Sequence, residues 1–217
     1  DFDNQTGEDV FDGTLRQGLA VQLQQSPFLA LFPDARVRSV LQLMGQSPDE
    51  RLTRERAAEI CQRQGLKAFI AGSIARFDRN YSITLEAVGA QTGESIALIQ
   101  VEAEGKDRVL RALSSAASDM REKLGESLNS VQAFDASLEA TTSSLEALKA
   151  LSLGYQHAVR GQYSESIPLY KRAVELDPNF AYAYASLSTQ YYNSGQPGLA
   201  AENAHKAFLL RDSVTEL

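Results

Sequence analysis

Two consecutive stretches decide how this chain folds: LEALKALSLGYQHAVRGQYSESIPLYKRAVELDP, Leu145–Pro178, and NFAYAYASLSTQYYNSGQPGLAAENAHKAFLLR, Asn179–Arg211. With one laid over the other, Leu153 and Leu187, Gly161 and Gly195, Ala173 and Ala207, and Leu176 and Leu210 each stand 34 residues apart. Both copies carry apolar residues at helical spacing, which predicts two helices per copy around a short turn. In the first copy the helices begin after Ser144 and at Tyr163, with Arg160-Gly161-Gln162 between them. Gly161 and Gly195 suit the positive φ that ends a helix, where a Cβ is strained. Pro178 stops one copy and fits the first turn of the next helix. Small residues at Gly154, Ala173, Ala200 and Ala207 permit close helix approach, and Leu153, Leu187, Tyr170 and Tyr191 are expected to fill the seam.

Small, Gly, aromatic and Pro positions in register at this period resemble the tetratricopeptide (TPR) repeat. The resemblance covers roughly the last third of the chain. Some positions depart from the family: Ala150 and Tyr184 stand at its Trp, Ser188 at its first Gly, Ser166 at a small Ala, and Asp212 where a second Pro would close the repeat. The family implies a concave groove lined by the first helix of each pair. Its register places Leu148, Leu151, Tyr155 and Val159 there, then Tyr182, Ala185, Thr189, Tyr192 and Asn193. No Lys or Arg is among them, unlike family members that clamp a peptide carboxylate, so the expected partner is a protein offering a helix or an apolar peptide. Tyr155 and Tyr182 have a second reading, packing against a neighbouring repeat.

Composition narrows the function. The 217 residues carry 28 acidic against 21 basic side chains, a net charge of −7, and no basic cluster, which argues against nonspecific binding of nucleic acid. The single cysteine, Cys61, excludes an intrachain disulfide and a cysteine-rich zinc site. Its place on a helical face reads as a core thiol rather than a reactive one. No apolar run reaches the ~20 residues that span a bilayer. Asp1-Phe2-Asp3-Asn4 reads as the end of a strand, and Asp212–Leu217 as the opening of another helix. The expectation is a fragment of a longer protein.

From the first residue, a strand leads into the polar loop Asn4–Gly13 and a helix from about Phe11 to Gln25, with Asp9 or Asp12 as its cap. Phe28–Phe32 reads as a short strand, Pro33-Asp34 starts a second helix, and Thr53 caps a third that Gly65 stops. Lys67–Phe77, Tyr81–Val88 and Ser95–Ala103 read as three strands joined by turns at Asp78–Asn80 and Ala90–Glu94. A long helix follows from about Lys106 to Leu128. The expected class is α+β: a mixed-sheet α/β domain at 1–128, a linker at 129–142 rich in Ser, Ala and Thr, and an all-α repeat domain at 143–217 comprising two repeats and the start of a further helix. Two repeats make a short stack, so the long helix or the α/β domain is expected to cap one end.

Phe2-Asp-Asn-Gln-Thr-Gly7, the strand Leu66–Ser73, Tyr81-Ser-Ile-Thr-Leu-Glu86 and Gln91-Thr-Gly93 resemble the TolB-N/FlgO-like α/β domain that precedes TPR repeats in bacterial serine/threonine kinases and winged-helix regulators. This resemblance implies a sensory module on the extracytoplasmic side of a membrane-anchored protein; a cytoplasmic place stays open. It supplies no catalytic residue.

No chemistry stands out in the residues themselves. The Gly-rich loop, strand lysine and ordered carboxylates of a kinase are missing, as are a G-x-S-x-G elbow, a P-loop and a dinucleotide fingerprint. Gly72-Ser73 lies inside a strand, and His157 and His205 lack flanking ligands. The acidic group Asp1, Asp3, Glu8, Asp9 and Asp12 lacks the alternation of a calcium loop. No enzyme activity, cofactor or metal is expected. The leading expectation is a noncatalytic interaction or sensor module whose repeat groove docks a partner. The alternative is a small-molecule receptor at the first strand-to-helix loop, with Asn4, Thr6 and the helix start at Gly13 and Thr14 as ligand-binding residues.

Overall fold

The computed structural model describes residues 1–135 and 138–210. The expected opening of a further helix at Asp212–Leu217 lies outside the described residues. The chain divides into two compact units, Asp1–Gly7 with Gln22–Asp135, and Glu8–Val21 with the residues from Ala136 onward. This division differs from the boundaries expected at 128 and 143, because the loop after the first strand is grouped with the repeats.

The first unit is built on a four-stranded mixed sheet in the order β1-β2-β3-β4: Phe2–Asn4, Ala68–Phe77, Asn80–Gly89 and Ser95–Glu104. β1 runs parallel to β2, with Phe2 opposite Gly72, and the rest is an antiparallel meander. A Cβ on Gly72 would come within 2.7 Å of the Phe2 ring, so the glycine inside the strand is a packing requirement. The alternation read in β3 holds: Tyr81, Ile83 and Leu85 are buried. Together with Ala97 and Ile99 of β4 they form the face on which α4, Val109–Lys123, lays Leu113, Ala116, Ala117 and Met120. Before β2 come α2, Asp34–Leu43, and α3, Arg54–Gln64, which share Val40, Leu41 and Ile60 as a core. Thr53 caps α3 through its side chain as expected, accepting from the Arg56 N–H at 3.3 Å. Cys61 is buried, and burial pushes its thiol pKa up, which suits a core residue.

Three expectations fail here. Phe28–Phe32 is not a strand. The Ser26 hydroxyl accepts from the N–H groups of Phe28 and Leu29 at 3.1 and 3.0 Å, which folds the chain into a local turn, and Pro27 and Pro33 bracket the run. The sheet therefore has four strands rather than five. The helix expected from Phe11 is a 3-10 turn, Asp9–Phe11, followed by α1, Thr14–Gln24. The long helix ends at Lys123, and part of the expected linker is helical, as α5, Leu128–Ala133.

Local chemistry makes that break, and a buried ion pair holds the corner: Gly125 stands at φ 103°, the Glu126 N–H reaches the Arg121 carbonyl at 3.1 Å, and the Ser127 side chain caps α5. Arg121 and Glu126 are 0% and 4% exposed and bond bidentately, Nε to Oε2 at 2.9 Å and Nη2 to Oε1 at 2.8 Å. Ser26 and Ser130 hydroxyls donate to the same carboxylate at 2.5 and 2.7 Å, and Arg121 Nη1 donates to the Phe134 carbonyl at 2.9 Å. The Arg121 guanidinium, aided by both hydroxyls, holds the Glu126 carboxyl down at about 2 against the pull of burial. A chain that continued α4 would carry Glu126 away from this arrangement.

In the second unit, α6, Leu138–Thr141, precedes two hairpins: α7, Leu145–Ala158, with α8, Tyr163–Leu176, and α9, Ala181–Asn193, with α10, Pro197–Leu209. Gly161 and Gly195 stand at φ 73° and 74°. The following N–H of Gln162 reaches the His157 carbonyl at 3.0 Å, and that of Gln196 the Tyr191 carbonyl at 2.8 Å, the same helix-ending motif in both copies. The Thr142 hydroxyl donates to Asp177 at 2.6 Å, tying the entry of α7 to the exit of α8.

Removing one partner of a buried ion pair leaves the other charge unpaired, at about 3–5 kcal/mol. Glu126→Gln is expected to lower the stability of the first unit by roughly that amount in urea denaturation of the whole chain. Because the Glu126 pKa is depressed in the fold, its contribution is full above the unfolded carboxylate value and is lost as pH falls toward about 2. The wild-type and variant stabilities are therefore expected to converge between about pH 5 and pH 2.

Candidate functional site

The first helix of each repeat hairpin shows three neighbouring stripes at i, i+3, i+7 spacing, which on an α-helix share a face. In α7 the first stripe is Ala147, Ala150 and Gly154, all buried. It faces α8: a Cβ on Gly154 would meet the Tyr170 ring at 2.9 Å. In α9 the matching stripe, Ala181, Tyr184 and Ser188, faces α10. The Ser188 hydroxyl donates to the Ala200 carbonyl at 2.8 Å, and the Lys206 ammonium lies 5.5 Å from the Tyr184 ring centroid. Ser188, at the position of the family's Gly, thus gives up backbone approach and makes a hydrogen bond to the partner helix instead.

The middle stripe carries the expected groove residues, and the two copies differ. On α9, Tyr182 is 36% exposed, Tyr192 is 72% exposed, and Ala185, Thr189 and Asn193 are exposed. On α7, Leu148 and Leu151 are each 1% exposed, and Tyr155 and Val159 are half-buried. Leu148 and Leu151 are therefore core residues and offer no groove surface, a correction to the family register. The tyrosines bridge the two copies. Burial pushes the phenol pKa of Tyr170 well up, and nearby Tyr182 and Tyr155 raise it further; burial also raises that of Tyr182. Tyr182 thus serves both readings, packed along one edge and open along the other.

The third stripe, Lys149, Ser152 and Gln156, was not singled out in the sequence. Lys149 Nζ donates to the Asp9 carbonyl at 2.7 Å, and Ser152 Oγ to the Gly13 carbonyl at 3.1 Å. The signal was present in the repeat itself, since Ser152 and Gln156 recur as Ser186 and Gln190 in α9. In the seam, Leu187, Tyr170 and Tyr191 are buried as expected, whereas Leu153 is 36% exposed.

The residues of the expected ligand loop are engaged with the protein. Asn4 Oδ1 accepts from the Thr6 N–H and hydroxyl at 3.1 and 2.7 Å. Thr14 is 0% exposed and donates to the Val10 carbonyl at 2.5 Å. Gly13 backs onto Ser152 and Gln156. Thr14 thus has no surface to offer a ligand, while Gly13 is half-buried. Asn4 and Thr6 belong to one unit and Gly13 and Thr14 to the other. The acidic group is also divided and occupied. Asp1 accepts from the Leu52 N–H at 2.9 Å, and Asp3 accepts from Gln5 and Arg51 at 2.7 and 3.3 Å. His157 shares a hydrogen bond with Gln162 at 2.9 Å.

Residues 154–195 match the family model described as TPR repeat. The match runs from the last turn of α7 through α8 and α9, so the repeat read from the spacing is a TPR repeat over those residues. No curated protein matches the chain. Among solved structures, the LpoB C-terminal domain from Salmonella enterica is 22% identical over 48% of this chain and 77% of its own, at a TM-score of 0.39. No helix among the described residues is long and apolar enough to cross a membrane.

A phenol whose pKa is raised by the fold favours the folded state below its unfolded value, and that contribution fades as pH rises past about 10. In an ultraviolet titration, Tyr170 is expected to stay protonated until the repeats unfold in alkali. Ionisation of Tyr170 near pH 10, with helicity intact, would contradict its buried placement.

Proposed function

We propose that this chain is a noncatalytic protein-interaction module in which α9 supplies the open part of a docking groove. The observation that carries the reading is the uncharged, exposed stripe Tyr182, Ala185, Thr189, Tyr192 and Asn193 on a tetratricopeptide hairpin. Aromatic side chains give large contact area at low cost in conformational entropy, and Thr189 and Asn193 add neutral hydrogen-bonding groups beside them. The partner of that chemistry is an apolar peptide or one face of an amphipathic helix, without a requirement for an acidic end group. The net charge of −7 gives no support to nucleic acid as partner. The likeness of the first 128 residues to TolB-N/FlgO-like domains supports a place in a larger bacterial signalling protein, on the extracytoplasmic side.

A library of displayed helical peptides selected on the whole chain provides the test. Selected peptides are expected to lose at least about tenfold in affinity, or ~1.4 kcal/mol, with Tyr192→Ala/Asn193→Ala. The thermal midpoint should stay near that of the parent, because both side chains are exposed. Peptides that bind the double variant as tightly as the parent would overturn the groove assignment.

A further inference from the structure

We infer that residues Asp9–Gly13 are the amino-terminal cap of the repeat stack, occupying the seat that a preceding helix fills within the array. A 34-residue translation relates α7 to α9. In α9 the first stripe meets α10, its own hairpin partner, and α9 also packs on α8 before it. The third stripe of α9 holds Ala183 at 0% and Gln190 at 6% exposure, a buried flank on a helix that packs on α8. Moved back by one repeat, the same flank of α7 is Lys149, Ser152 and Gln156. No repeat precedes α7, and its flank is met by the backbone of the 3-10 turn and its exit, through the Asp9 and Gly13 carbonyls.

The seat accepts backbone and little else. Gly13 has φ 70°, and a Cβ there would stand 3.2 Å from Gln156 Nε2 and 3.4 Å from Ser152 Oγ. Phe11 in this segment and Leu15 just after it are both 0% exposed. The cap is three residues of 3-10 turn where α8 offers fourteen, and the shortfall is visible. Leu153 is 36% exposed, while its copy Leu187 on the same back edge of α9 is 2% exposed. The docking helices therefore depend on a loop more than 130 positions earlier in the chain, and the first hairpin needs no further repeat before it. This inference stands apart from what the groove binds.

Amide hydrogen exchange on the whole chain tests it with three variants. Gly13→Val places a branched side chain at the seat, Ser152→Val removes the donor to the Gly13 carbonyl, and Gly7→Val carries the same backbone strain at φ 74° with nothing within 4 Å. The expected result is at least tenfold faster exchange in α7 for both seat variants, with β3 unchanged and with Gly7→Val like the parent. Should Gly13→Val unfold the whole chain, Ser152→Val alone decides by the same criterion. Unchanged protection in α7, or equal acceleration in Gly7→Val, would overturn the cap.

Discussion

A helix that packs on two neighbours has one stripe left, and the two copies use it differently: α9 keeps it exposed, whereas α7 buries Leu148 and Leu151 along it. The tightest point is Gly154 beneath the Tyr170 ring, where a single methyl would collide at 2.9 Å. That contact fixes the spacing of α7 and α8, which in turn fixes where the next stripe looks. The second hairpin meets the same demand differently: Ser188 is too large for such an approach and bonds the Ala200 carbonyl instead. One spacing of residues thus supports two chemistries of helix pairing, and in α9 the stripe between the flanks stays exposed.

The first unit depends on a different constraint. Its sheet is held by ordinary alternation, with Ile83 and Leu85 under α4, but its exit is governed by Arg121 and Glu126. Two charges taken out of water are tolerated only with every lone pair and proton engaged. Ser26, Ser130 and the Phe134 carbonyl complete that set. The same pair sits where α4 ends at Gly125 and α5 starts on the Ser127 cap, and through the Ser26 hydroxyl it joins that corner to the turn at Phe28.

Much of the fold was legible because it rests on period and punctuation. The helix ends at Gly161 and Gly195, the Thr53 cap and the three-stranded meander all follow from residues close in sequence. The candidate site was legible only in its second half. Tyr192 and Asn193 are exposed where the register put them, whereas Leu148 and Leu151 are sealed in the core. Phe28–Phe32 had the composition of a strand and failed because the Ser26 hydroxyl took its amides.

By itself the sequence determined the repeat, its 34-residue period, the polarity of each strand face and the absence of charge along the groove. Those properties are carried by spacing, and spacing is local. Only the tertiary structure decided that Asp9–Gly13 belongs with the repeats and that Arg121 lies buried against Glu126. Each of these joins residues that no period relates, so they are set by which surfaces meet once the helices and strands have formed.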